Sequence, residues 1–262
     1  MPSLDRDLAL AHLLADDADA ITTARFQAVD LHVETKPDLT PVSDADRAVE
    51  EALRRRLERE RPDDAVLGEE YGAQGDGPRR WVVDPVDGTK NFVRGVPVWA
   101  TLVALQVDGE VAAGVVSAPM LGRRWWAARG SGTWTGPSRA DARACRVSGV
   151  DALADAHLSY SSLTGWEERG RLPAFLDLTR RVWRTRAFGD FWSHVLVAEG
   201  AVDVSTEPEV SLWDLAALQV IVEEAGGRFS DLSGSPRPDG GSVLCSNGRL
   251  HEEVLALLRD GG

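Results

Sequence analysis

With 262 residues, of which 43% are hydrophobic and 27% charged, the chain is long enough for a full globular core and has neither a disordered nor a fibrous composition. A net charge of −13 and a pI near 4.8 oppose general affinity for nucleic acid or an anionic membrane, since both need a basic face. Only two cysteines occur, Cys145 and Cys245, which argues against a disulfide framework or a thiolate zinc site and for a reducing, cytoplasmic setting.

The N-terminus has no basic segment followed by an apolar one, and the longest uncharged stretch, Val96 to Val107, is too short to span a bilayer. The expectation is a protein neither exported nor membrane-spanning. Apolar residues at helical spacing (Leu4, Leu8, Ala11, Ala15, Ala18, Ile21) predict an amphipathic helix from Leu4 to about Phe26. An extended piece at Leu31 to Thr35 leads to a turn at Lys36-Pro37-Asp38. Ser43, with Asp46 three positions on, then reads as the N-cap of a helix that buries Val49, Leu53 and Leu57 and stops at Arg61-Pro62.

Val66-Leu67 and Trp81-Val82-Val83 read as short buried strands, each ending at acids: Glu69-Glu70 after the first, Asp84 after the second. Leu102–Val107 and Val111–Ser117 flank Asp108-Gly109, a strong hairpin signal. The first half therefore reads as helices on an antiparallel sheet. Ser131 to Arg143 reads as a connection or hairpin tip, after which strands and helices alternate. Strands are predicted near His157–Tyr160, Ala201–Ser205 and Val243–Cys245; helices at Pro173–Val182, Phe191–Glu199, Asp214–Ala225 and Leu250–Leu258. The expected organisation is two halves of one compact unit, residues 1–136 with most of the acidic candidates and 137–262 with Asp214.

The most informative string is Asp84-Pro85-Val86-Asp87-Gly88-Thr89-Lys90-Asn91-Phe92. Two carboxylates three apart, with Pro and Gly shaping the turn, can aim both side chains and a backbone carbonyl at one point. Hard divalent cations, Mg²⁺ in particular, want oxygen ligands of this kind. Of the 29 basic residues only Lys36 and Lys90 are lysines, and both lie in these motif regions.

Together with Lys36-Pro37-Asp38-Leu39-Thr40-Pro41-Val42-Ser43-Asp44, Gly68-Glu69-Glu70 and Trp213-Asp214-Leu215-Ala216-Ala217, this string resembles the inositol monophosphatase superfamily. The resemblance covers essentially the whole chain. It implies a layered α-β-α-β-α fold of the α/β (α+β) class and Mg²⁺-dependent hydrolysis of a phosphomonoester by metal-activated water. Two or three ions are implied, with Mn²⁺ able to substitute. By position, Glu69, Asp84, the Val86 carbonyl and Thr89 resemble the surroundings of a first metal, and Asp84, Asp87 and Asp214 those of a second. Glu69 would also reach a third ion through water. Asp44 matches the carboxylate that hydrogen-bonds the motif threonine, so Asp44, Thr89 and Glu69 form the expected catalytic set. The amides of Gly88 and Thr89 would cradle phosphate, and Glu70 would support the site.

Substrate recognition rests on other residues. Arg186-Ala187-Phe188-Gly189-Asp190-Phe191-Trp192 resembles the turn that meets the leaving group, and Glu207, seven before Asp214, resembles a substrate-binding glutamate. With Glu69, Asp87, Gly88, Thr89 and Asp214 these complete the expected substrate contacts. An acid at 190, where inositol-type members are neutral, favours a cationic leaving group. Helix capping is the competing reading of Asp190. The extended string Asp84–Trp99, Arg123–Gly130 and the Gly189-Asp190-Phe191 turn resemble the histidinol-phosphate phosphatase branch of high-GC bacteria, which is typically homodimeric. An inositol 1-phosphate or broader sugar-phosphate phosphatase stays open, as does a silent binding protein. Asn91 speaks against the nucleotide 3′-phosphatase branch. Trp125-Trp126 read as core or dimer packing, and the five histidines as structural. Asn247 either reaches a site or turns the chain.

Overall fold

In the computed structural model, which describes residues 4–37 and 39–259, the chain forms two compact units. One comprises residues up to 129 together with 134–143; the other comprises 130–133 and the chain from 144 onward. The polypeptide thus changes unit at 130, 134 and 144, where a single boundary at 136/137 was expected. Asp38, part of the motif at 36–44, lies outside the described residues.

In the first unit, helix α1 (Leu4–Arg25) follows its apolar spacing closely. Strands β1 (Val33–Thr35) and β2 (Pro41–Ser43) pair antiparallel around the Lys36-Pro37 turn. Helix α2 (Asp44–Glu60) starts at Ser43, which forms a capping box with Asp46, an arrangement worth about 1 kcal/mol. Next come β3 (Ala65–Gly68), β4 (Gly72–Gln74), β5 (Arg79–Asp87) and the short helix α3 (Thr89–Val93). The meander β6 (Ala100–Val107), β7 (Glu110–Ala118), β8 (Arg123–Ala128), β9 (Thr133–Gly136) and β10 (Arg143–Cys145) completes an eight-stranded sheet in the order β10-β9-β8-β7-β6-β5-β3-β4.

The β6–β7 turn has positive φ at both Asp108 (53°) and Gly109 (85°), the primed turn whose twist suits a hairpin. One expectation needs correction. The sheet is not wholly antiparallel, because β3 runs parallel to β5. Residues 131–143 follow the hairpin-tip reading: β9 and β10 are neighbouring strands with a tip at 137–142 between them, and β10 forms the sheet edge. Helices α1 and α2 bury Leu14, Leu53 and Leu57 against Trp81, Val103, Leu105 and Trp126 on one sheet face. Trp125 and Trp126 are both buried, as core packing requires.

In the second unit the elements are β11 (His157–Ser159), α4 (Thr164–Glu168), α5 (Leu172–Arg181), β12 (Arg184–Arg186), α6 (Asp190–Ala198), β13 (Val204–Glu207), α7 (Leu212–Glu224), β14 (Arg228–Ser230), β15 (Val243–Ser246) and α8 (His251–Arg259). Their sheet has the order β12-β11-β13-β15-β14, with β11 parallel to both neighbours and the remaining pairs antiparallel. Strand alternation sorts its faces. Leu158, Val204 and Leu244 pack with Phe175 and Leu178 of α5 and Leu255 and Leu258 of α8. Ser205, one residue on from Val204, turns to the opposite face and meets His194 of α6. Among the described residues no helix is long and apolar enough to cross a membrane.

Candidate active site

The first unit presents its acids around the end of β5. Asp84 does not end that strand, as the sequence suggested. Pairing with β6 continues to Asp87, interrupted by a bulge between Asp84 and Asp87. Pro85 has no amide hydrogen to give the ladder, so a bulge is where it belongs. The extra backbone is tied locally: Val86 N donates to Asp84 Oδ1 at 3.0 Å, and Thr101 Oγ1 of β6 donates to the Pro85 carbonyl at 2.7 Å. Gly88, at φ 84°, then turns the chain into α3, a conformation that favours glycine. Phe92 and Trp99 pack under this turn with Val86 and Ala45.

Thr89 identifies its acidic partner. Its Oγ1 lies 2.9 Å from the Val86 carbonyl oxygen and 3.3 Å from Asp46 Oδ1, both acceptors. The carboxylate paired with the motif threonine is therefore Asp46, and the expectation for Asp44 is corrected. Asp44 is the first residue of α2 and is held by Arg25 Nη2 at 2.7 Å and Nε at 3.2 Å. Two residues along a helix turn a side chain about 200° around the axis, so only one of these acids can face Thr89. Asp46 is fixed by the Ser43 amide (2.8 Å) and hydroxyl (2.6 Å) through Oδ2, which leaves Oδ1 for Thr89. Its carboxyl is pushed up chiefly by burial, with the charge of Glu69 adding and the Ser43 bonds opposing.

Glu69 and Glu70 follow β3 and share one cation: Lys36 Nζ donates to Glu69 Oε1 at 2.8 Å and to Glu70 Oε1 at 2.7 Å. Burial works against the Lys36 charge, yet the two carboxylates outweigh it and raise the group above its ordinary value. Glu70 is likewise raised, by burial first, with Lys36 pulling it down. Beneath them lies a residue the sequence reading missed. Glu50, fully buried and paired with Arg54, accepts the amides of Glu70 (2.7 Å) and Tyr71 (3.2 Å). A Cβ on Gly68 would collide with the Glu50 carboxylate, which explains the glycine of the Gly68-Glu69-Glu70 motif. A glutamate between Val49 and Leu53 on the buried face of α2 was the available signal.

In the second unit, Asp214 sits in the first turn of α7, where its Oδ2 accepts the Ser211 amide at 2.7 Å in a capping box. Asp190 does not cap α6. Gly189 holds the cap position, and no side chain caps there. Asp190 itself has φ 49°, a left-handed conformation costing a non-glycine residue about 1–3 kcal/mol, and its amide donates to Ser161 Oγ at 3.0 Å. Glu207 ends β13 and accepts from His194 Nε2 at 3.1 Å, while His194 Nδ1 lies 2.8 Å from Ser205 Oγ. Burial disfavours a charge on this imidazole, but Cys245 and Glu207 more than offset it, so its pKa is raised. His194 is thus bound into the candidate site, although its isolated position gave the sequence reading no reason to select it. Arg186 is exposed on β12 and donates to the Thr185 carbonyl.

Of the two readings of Asn247, its contacts support the turn. Its amide nitrogen donates to Ser148 Oγ and to the Val150 carbonyl, and its oxygen accepts the Arg249 and Leu250 amides. It spends its hydrogen-bonding capacity on turning the chain into α8.

Carboxylates on a strand bulge, with a threonine backed by a buried aspartate, define an oxygen-rich acidic centre suited to metal-dependent phosphate chemistry. Residues 3–262 match the inositol monophosphatase family, and the chain belongs to it. It is 60% identical over 262 residues to a histidinol-phosphatase from Streptomyces coelicolor, covering 98% of each chain. It is 57% identical to a histidinol-phosphatase from Mycobacterium tuberculosis, covering 97% of this chain and 98% of that one. The structure of an inositol monophosphatase from Zymomonas mobilis matches with a TM-score of 0.86 and 32% identity, over 98% of this chain and 99% of that one. The fold is the mixed α/β layered fold of these structures, and the family is in general Mg²⁺-dependent.

Proposed function

We propose that this chain hydrolyses histidinol phosphate to histidinol and inorganic phosphate with the help of Mg²⁺. The observation that carries the substrate is the full-length likeness to two histidinol-phosphatases at 60% and 57% identity. The acidic residue at 190, in a strained turn, suits the cationic leaving group of that ester.

The donor set fits Mg²⁺. It consists of carboxylate, carbonyl and hydroxyl oxygens, and Glu69 and Glu70 already share the ammonium of Lys36 as a cationic partner. The residues assigned to the ions are Glu69, Asp84, the Val86 carbonyl, Asp87 and Asp214, with Glu70 in support; family membership supports this assignment. When bound, Mg²⁺ supplies Lewis acidity toward the phosphoryl oxygens and makes water easier to deprotonate. The chain's own residues do the rest. The Thr89 hydroxyl passes its proton to Asp46 as it takes one from the attacking water, a task suited to a carboxyl whose proton affinity burial has raised. The new O–P bond forms as the ester O–P bond breaks, the departing alkoxide takes a proton from a second water to give the alcohol, the proton on Asp46 returns to solvent, and the amides of Gly88 and Thr89 hold phosphate oxygens. Asp190 and Glu207 meet the ammonium and imidazole of the leaving group.

The reading extends to a cytoplasmic homodimer. An acidic chain with two buried free thiols suits a reducing compartment. Trp183, 67% exposed beside the edge strand β12, suits burial against a second copy. Phosphate release from histidinol phosphate, inositol 1-phosphate, fructose 1,6-bisphosphate and adenosine 3′,5′-bisphosphate tests the function. A clear preference for histidinol phosphate, abolished by chelator, is expected, and a preference for any of the others overturns the substrate assignment.

A further inference from the structure

Ser205 and Glu207 are two apart on β13 and so project from the same face of the sheet. A single side chain crosses that face to bond both: the His194 imidazole, 2% exposed, reaches Ser205 Oγ through Nδ1 at 2.8 Å and Glu207 Oε1 through Nε2 at 3.1 Å. Among the described residues no other side chain bonds this carboxylate, whose side chain is 13% exposed. His194 also lies four positions after Asp190 on α6, the helical spacing that places two residues on one face. One helix therefore presents the strained acid of the leaving-group turn and, one turn later, the ring that restrains the second acid. A buried histidine kept only for packing has no need to spend a ring nitrogen on the acid at a strand end.

We propose that His194 is a positioning residue for leaving-group recognition, holding Glu207 Oε1 through Nε2 so that Oε2 is presented to the cationic part of the substrate. The inference rests on the reading of Glu207 as a substrate contact. An imidazole serves because its two nitrogens are distinct: one is anchored on Ser205, which orients the ring, and the other is thereby aimed at Glu207. Cys245 on β15 is the other titratable group against the ring. A carboxylate held in this way need not be ordered when substrate arrives, so the effect belongs in KM and in discrimination between substrates.

The test uses the full-length protein loaded with Mg²⁺ and two amide variants. In H194N the amide can reach toward Ser205 but not Glu207, whereas in H194Q the amide nitrogen takes the place of Nε2 and keeps the bond to Glu207. The readout is the ratio of kcat/KM for histidinol phosphate to kcat/KM for phenyl phosphate, with kcat and KM separated. H194N is expected to lower that ratio about tenfold, mainly through KM, and H194Q to restore most of it. In a double-mutant cycle, H194N combined with E207Q should cost little more than E207Q alone. Equal losses in H194N and H194Q, or additive losses with E207Q, overturn the proposal. If E207Q leaves the ratio unchanged, the reading of Glu207 itself falls and takes this inference with it. Thermal unfolding of each variant separates loss of positioning from loss of fold.

Discussion

The acidic end of β5 and the recognition segments of the second unit are built by different means. Around Asp84 two restraining bonds are short in sequence, the Val86 amide to Asp84 and the Thr89 hydroxyl to Val86, and two reach further, Thr101 to the Pro85 carbonyl and Thr89 to Asp46. Proline, glycine and threonine in one string therefore shape part of their own site, with Thr101 and Asp46 completing it. Around Asp190 and Glu207 the restraints come from distant segments: Ser161 holds the Asp190 amide across 29 positions, and His194 holds Glu207 across 13. The chemistry shared by a family can reside in a compact motif. Choice of substrate depends on which segments the fold happens to bring together, and it can change without touching that motif.

The strongest way to break this contrast is to remove a charge from the acidic set. D84N and D214N should each lower turnover of histidinol phosphate by several orders of magnitude and abolish the Mg²⁺-dependent rise in Tm. A variant that keeps near-full activity at low Mg²⁺ would remove that residue from the ion site. Next comes the pair of acids on α2. D46N should reduce kcat by about 10²–10⁴-fold, the usual worth of a positioned proton acceptor. D44N should lower mainly Tm, through the lost Arg25 contact. The opposite ranking in steady-state kinetics would restore Asp44 to the catalytic set.

In the second unit the expected effects are smaller and depend on substrate. D190N tolerates the left-handed backbone as well as aspartate does, because asparagine favours that region. It should lower kcat/KM for histidinol phosphate by about ten- to a hundredfold relative to inositol 1-phosphate. D190G should show the same loss while raising Tm, since glycine relieves the strain; a fall in Tm would mean that the side chain supports the fold.

The smallest effect concerns stability rather than turnover. His12 and His251 are each pushed down to about 4, by burial first and then by Arg124 and Arg228 respectively. The folded state thus binds fewer protons than the unfolded chain, whose histidines titrate near ~6.5. Stability fully present above that pH is lost as pH falls through the window down to about 4, at up to about 1 kcal/mol per pH unit for each ring. Urea unfolding at pH 7 and pH 5 measures this decline. H251Q should show a shallower one, and an equal decline would remove His251 from the account.

What the sequence determined by itself was governed by local periodicity and local turn chemistry. The spacing of Leu8, Ala11 and Ala15 suffices for α1, Asp108-Gly109 for the β6–β7 hairpin, Ser43 with Asp46 for the start of α2, and the string from Asp84 to Thr89 for the acidic turn. Short strands such as β4, β12 and β14 carry too few residues for a period to emerge and form only because neighbouring strands offer a ladder. Which acid of α2 faces Thr89 was likewise undecidable along the chain. Asp44 and Asp46 both lie in the first turn, and the packing of α1, which places Arg25 against Asp44, sorts them. The roles of Glu50 and His194 belong to the tertiary structure alone. Glu50 is marked by its place on the buried face of α2, but the partner of each residue emerges only on folding, the Glu70 amide in one case and the Glu207 carboxylate in the other.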